Sequence, residues 1–188
     1  MTAKAPPRDS TLHQKSLRVF FALWPDELAR ERLAALATSV AREGGGRAIP
    51  ARNLHVTLAF IGAVSPQRVD ALAEAGTLCV REIGAIDMSL ARIGGAHNGE
   101  LVWLAPALLP RELVVLHERL DALLAERGLP VEAREFRPHV TLARRCARRV
   151  RPPTIEPIVW RVTRVALMSS TTGADGSEYR ELAAFDLA

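Results

Sequence analysis

The chain has 188 residues, 48% hydrophobic and 24% charged, with a net charge of +4 and a pI near 9.8; this suits one compact unit with a real core and favours anionic ligands, although arginine-rich composition alone supplies part of the charge. Cys79 and Cys146 are the two cysteines and have no paired spacing, which excludes a disulfide framework and points to reduced thiols. No apolar stretch approaches the ~20 residues that span a bilayer, and the start lacks a basic-then-apolar leader, so a soluble, cytoplasmic monomer with no membrane partner is expected.

Residues 1–16 carry Pro6, Pro7 and mixed polar residues without periodicity and read as a disordered tail; residues 17–188 read as a single bilobal domain. Leu17 to Trp24 is an apolar run of β-formers, a central strand. Pro25 at the first helical position opens a helix from Asp26 to Ala41, with Leu28, Leu33, Leu36 and Val40 at roughly helical spacing. Gly44-Gly45-Gly46 ends it as a flexible turn, because no Gly-x-x-x-x-Gly-Lys-Ser/Thr pattern follows. A strand from Leu54 to Ile61 comes next, with Arg47 and Arg52 before or within its approach, and Ser65-Pro66 then starts a helix to about Val80. Asp87 to Ile93 and Leu101 to Leu104 form a hairpin around a glycine-rich turn that holds an exposed His97; Trp103 reads as core.

Pro110 begins the longest helix, to about Arg127, with Leu113, Leu116, Leu120, Leu123 and Leu124 as an apolar stripe and His117 at its boundary. Arg134, Arg137, Arg144, Arg145, Arg148, Arg149 and Arg151 make the densest basic patch, which suits a polyanion. Pro157 to Ser169 reads as one long strand, and Asp175-Gly176 turns it into a last strand near Tyr179 to Phe185. The order β α β α β β α β β β, with no Pro, Gly or Ser-rich linker between halves, predicts an α+β fold of two lobes in one domain.

One pattern occurs in both halves. Asn53-Leu54-His55-Val56-Thr57-Leu58-Ala59-Phe60 and Arg137-Pro138-His139-Val140-Thr141-Leu142-Ala143-Arg144 share the pentad His-Val-Thr-Leu-Ala. On a strand, alternate side chains share a face, so His55 and Thr57 point one way and Val56 and Leu58 the other; the second copy repeats this. Two imidazoles and two hydroxyls can then face each other across a cleft. The pair of His-x-Thr-x motifs, together with Leu17 to Leu23 and the Phe136-Arg137-Pro138 approach to the second motif, resembles the RNA 2',3'-cyclic phosphodiesterases, once called 2'-5' RNA ligases, of the two-histidine phosphoesterase superfamily. The resemblance runs from about Leu17 to Phe185. A small departure is Ala59, where the family often has lysine.

The resemblance implies a pseudo-twofold bilobal fold, with antiparallel or mixed sheets lining a V-shaped cleft and helices outside. It implies hydrolysis of RNA 2',3'-cyclic phosphate ends to 2'-phosphomonoesters, with His55 as proton donor to the departing 3' oxygen and His139 as proton acceptor for water. Either histidine suits either task near neutral pH, and the repeat by itself does not say which. Thr57 and Thr141 would hydrogen-bond nonbridging phosphate oxygens. Arg144, Phe60 and Arg137 are placed in substrate binding; Arg144 lies five residues after His139, on the opposite strand face unless a bulge intervenes. No cofactor is expected: no residue cluster has metal-ligand spacing, and ATP is not implied, because 2'-5' ligation of a cyclic end to a 5'-hydroxyl is the reverse reaction. The expected partner is RNA or an oligonucleotide ending in a 2',3'-cyclic phosphate, tRNA fragments included. The competing readings are a cyclic phosphodiesterase for a small nucleotide such as ADP-ribose cyclic phosphate or for a 2'-5'-linked oligonucleotide, and an RNA-end binding module without turnover.

Overall fold

The computed structural model describes residues 16–95, 100–132, 134–148, 150, 155–173 and 176–188. The tail of residues 1–15, His97 and its turn, Arg149, Arg151 and Asp175 lie outside the described residues. In chain order the strands are β1 (Leu17–Leu23), β2 (Arg47–Ala48), β3 (Val56–Val64), β4 (Ile86–Gly95), β5 (Leu101–Pro106), β6 (Val140–Arg144), β7 (Ile158–Val162), β8 (Arg164–Gly173) and β9 (Gly176–Asp186). The helices are α1 (Glu27–Gly44), α2 (Val69–Cys79) and α3 (Arg111–Glu126).

The strands run in the order β7-β4-β5-β6-β3-β1-β8-β9, with β2 added to β6. Every pairing among them is antiparallel. The sheet is two four-stranded halves whose inner strands, β3 and β6, meet at one residue pair, Val56 and Val140. These are the equivalent valines of the repeated pentad, so the pseudo-twofold relation of the sequence passes between them. The helices pack on the face opposite the histidines, α1 against β6 and β7, α2 against β8 and β9, and α3 against α2 and β3. Val56, Leu58, Val140 and Leu142 are all buried in the resulting core, and each such burial is worth about 1.5–3 kcal/mol. That energy locks the register and leaves His55, Thr57, His139 and Thr141 to the other face, since a one-residue slip would invert every side chain.

Four details differ from the expectations above. Asp26 is the cap of α1, accepting the Ala29 amide at 2.8 Å, so Pro25 precedes the cap and Leu28 falls on the solvent side, 69% exposed. The 157–169 segment is two strands, not one. It breaks at Thr163, and its parts go to opposite halves, β7 to β4 and β8 to β1. Trp103 is half-buried on the site face rather than in the core. The glycine triplet is a close-packed seat: Gly45 takes the left-handed cap conformation with φ 64°, and a Cβ on Gly46 would lie 2.6 Å from Cys146 Sγ and 2.7 Å from the Arg144 carbonyl. Glycine there lets α1 and β2 hold the end of β6.

Gly76, inside α2, has a similar role against β9. A Cβ there would lie 2.2 Å from the Phe185 ring. Overpacking of this kind costs about 1–3 kcal/mol, more than the ~1 kcal/mol that alanine gains over glycine in a helix. Gly76→Ala is therefore expected to lower the melting temperature; an unchanged or higher value would show that the ring moves aside freely.

Candidate active site

Both motif strands carry the same irregularity. On β3, Ala22 of β1 pairs with Thr57 and Phe21 pairs with Ala59, so Leu58 has no partner on β1. On β6, Trp103 of β5 pairs with Thr141 and Val102 with Ala143, so Leu142 is skipped in the same way. Each is a β-bulge, and an extra residue reverses the alternation beyond it. Phe60 and Arg144, five residues after their histidines, are thereby turned onto the histidine face. The bulge that Arg144 requires is present, and Ala59, where the resemblance leads one to expect lysine, is buried on the core side.

The two imidazoles are held alike. His55 Nδ1 lies 2.7 Å from the Asn53 carbonyl and His139 Nδ1 lies 2.7 Å from the Arg137 carbonyl. A carbonyl only accepts, so each Nδ1 carries hydrogen and each Nε2 is the nitrogen left for chemistry. Thr57 Oγ1 stands 3.3 Å from His55 Nε2. Val56 faces Val140 across the junction; extended one residue either way, that register sets His55 against Thr141 and Thr57 against His139.

Their surroundings differ. His55 stacks on Trp24 at 4.8 Å and 8°, and Phe20 and Tyr179 each lie 5.3 Å away. Burial in this aromatic box is the main reason its pKa is held below the ordinary 6.5. The bond to Asn53 works the other way, while Arg144 and His139 lower it further by charge repulsion. Trp103 is the ring near His139, tilted at 5.9 Å.

A cavity of ≈ 570 Å³ opens on this face. His55, Thr57, His139, Thr141, Phe60 and Arg144 all line it, with Arg18, Arg47, Arg52 and Arg145. Among the described residues, five arginines and no carboxylate make a strongly anion-seeking wall, and none of the five stands at ion-pair distance from a described acid. Arg18 sits over the Phe60 ring, 5.5 Å from its centroid. Arg137 is not among the lining residues; its guanidinium forks onto Glu135 at 3.0 and 2.7 Å, and its carbonyl is what serves the site. No group of three or more His, Cys, Asp or Glu among the described residues is placed to hold a metal ion.

A sequence model of the 2'-5' RNA ligase superfamily matches residues 24–174, which span both motifs. The chain belongs to that superfamily. Among similar superfamily proteins, the RNA 2',3'-cyclic phosphodiesterase of Escherichia coli is 33% identical over 168 residues, covering 88% of this chain and 93% of the relative. That of Thermus thermophilus is 29% identical, covering 91% and 90%. The crystal structure of E. coli LigT complexed with 3'-AMP superposes with a TM-score of 0.82 at 28% identity, covering 93% of this chain and 99% of that one. The superfamily's fold is therefore the fold of this chain.

Within this 2'-5' RNA ligase superfamily site, sequence reasoning missed Phe20, Tyr179 and the Ser170, Thr172 and Ser177 rim, all of which line the cavity. The Phe20-x-Ala22-x-Trp24 spacing puts those residues on one strand face, but β1 is apolar on both faces, so no polar alternation marks the side. The Ser-Ser-Thr-Thr run at 169–172 was the available signal for the rim, because a strand end this polar has to leave the core.

Proposed function

We propose that the protein hydrolyses RNA 2',3'-cyclic phosphate ends to 2'-phosphomonoesters by acid/base action of His55 and His139. The observation that carries the reading is the pair of imidazoles pinned through Nδ1 to the main chain, on the two motif strands that line one arginine-walled cavity. Water attacks phosphorus and gives its proton to one Nε2; the P–O3' bond breaks and the 3' oxygen takes a proton from the other. Thr57 and Thr141 hydrogen-bond nonbridging oxygens, and Arg144 offsets the charge that builds there. A 5'-hydroxyl in place of water would give a 2'-5' linkage by the same displacement.

His55 is assigned as donor and His139 as acceptor. Burial opposes a proton on His55, and by the same effect makes the protonated ring a stronger acid. An anionic phosphate between the rings counters the repulsion from Arg144 and His139, so the proton enters with the substrate.

The second reading, a small-nucleotide cyclic phosphate as substrate, draws support from one relative, E. coli LigT, crystallised with 3'-AMP and with NADP+. Rates on 2',3'-cyclic mononucleotides, on RNA with a cyclic end and on ADP-ribose cyclic phosphate separate the two. The RNA end is expected to give the highest kcat/KM, because a polyanion engages more of the arginine wall. All activity is expected to survive EDTA; loss on chelation that one divalent ion restores would count against the two-histidine mechanism.

A further inference from the structure

The two bulges leave two carbonyls without strand partners, and the protein satisfies them differently. Leu142 of β6 accepts the Ile49 backbone amide at 2.8 Å. Leu58 of β3 has no strand partner on either side; its carbonyl stands 3.0 Å from His117 Nδ1, on α3. A side chain thus stands where the other half uses main chain. Because the carbonyl only accepts, His117 keeps its hydrogen on Nδ1. Nε2 faces Asp121 Oδ2 at 3.4 Å, and the ring stacks on Phe136 at 3.9 Å and 14°. Phe136 lies three residues before His139. One imidazole behind the sheet therefore touches the bulge of the first motif and the approach to the second.

We infer that His117 is a positioning residue: its bond to Leu58 holds the bulge that follows directly on Thr57 and turns Phe60 into the cavity. An unsatisfied buried carbonyl is costly, and the cheapest repair without His117 is to straighten the strand, which carries Phe60 toward the opposite face. The Phe136 stack gives the ring its orientation, and Asp121 Oδ2 lies beside the second nitrogen.

Three substitutions separate these contacts. His117→Asn keeps a donor at the Nδ1 place and loses the stack; His117→Phe keeps the stack and loses the donor; His117→Gln puts its donor at the Nε2 place, toward Asp121. The kinetic arm rests on the phosphodiesterase reading. There His117→Asn is expected to stay within a few-fold of wild type, while His117→Phe and His117→Gln lose kcat/KM by roughly 10- to 100-fold, the scale of a misplaced site group. The second arm needs no activity: backbone amide NMR signals of residues 57–60 should remain native-like in His117→Asn and shift in the other two. Unmoved signals in His117→Phe and His117→Gln, or an Asn variant as impaired as the Phe variant, would overturn the inference. So would collapse of all three variants, which would make His117 a stability residue only. A wild-type protein inactive on every cyclic phosphate would instead sink the proposed function, and the amide signals would still decide the role of His117.

Discussion

Alanine at either His55 or His139 is expected to lower turnover of a 2',3'-cyclic phosphate roughly 10²- to 10⁴-fold, the usual contribution of a positioned proton-transfer group. Product binding should change far less, because the arginines remain. The double variant should lose less than the product of the two single losses, since donor and acceptor act in one transition state. A substrate with a strongly activated leaving group on the 3' side needs little help from an acid. With His55 as donor, that substrate rescues His55→Ala and leaves His139→Ala slow. Steady-state rates of both variants on natural and activated substrates test this; rescue of His139→Ala would reverse the roles, and wild-type rates in both would end the two-histidine proposal.

Arg144→Ala should cost roughly 10²- to 10³-fold in kcat, the scale of losing one preorganised donor to developing charge, and Arg144→Lys should recover only part, since an ammonium lacks the planar fork. A change in KM alone would show that Arg144 serves ground-state binding. The same residue is tied to the titration of His55. By NMR, the His55 ring should titrate below 6.5 in the wild-type protein, and Arg144→Gln should move its midpoint upward. It should stay low even then, because burial is the larger cause. Neutral His55 is the form the fold favours, so its share of stability is present above the ordinary histidine pKa and is lost as pH falls through the folded value.

The histidines and threonines were legible because a duplicated pentad leaves a mark that survives without any knowledge of packing. The helices α1 and α3 were legible from their apolar stripes. The bulges were not. Leu58-Ala59 and Leu142-Ala143 are apolar pairs, and two adjacent apolar residues look the same whether the chain slips a residue or ends its alternation. Since the bulges aim Phe60 and Arg144, strand periodicity alone put Arg144 on the wrong face. The break at Thr163 was hidden for a related reason: both neighbouring segments have strand composition, and only pairing partners on opposite edges of the sheet separate them. The glycine triplet looked like slack chain because sequence does not reveal that Cys146 and the Arg144 carbonyl press against it.

The contact of the two half-sheets at Val56 and Val140 also has a mechanical meaning. Any splaying of one half relative to the other takes that valine pair as its fulcrum. Each histidine is the residue next to the fulcrum, so its lever arm is short, while Arg18, Arg145, Ser170, Thr172 and Ser177 ride on long ones. A rotation about that pair would therefore widen the mouth more than it would separate the imidazoles.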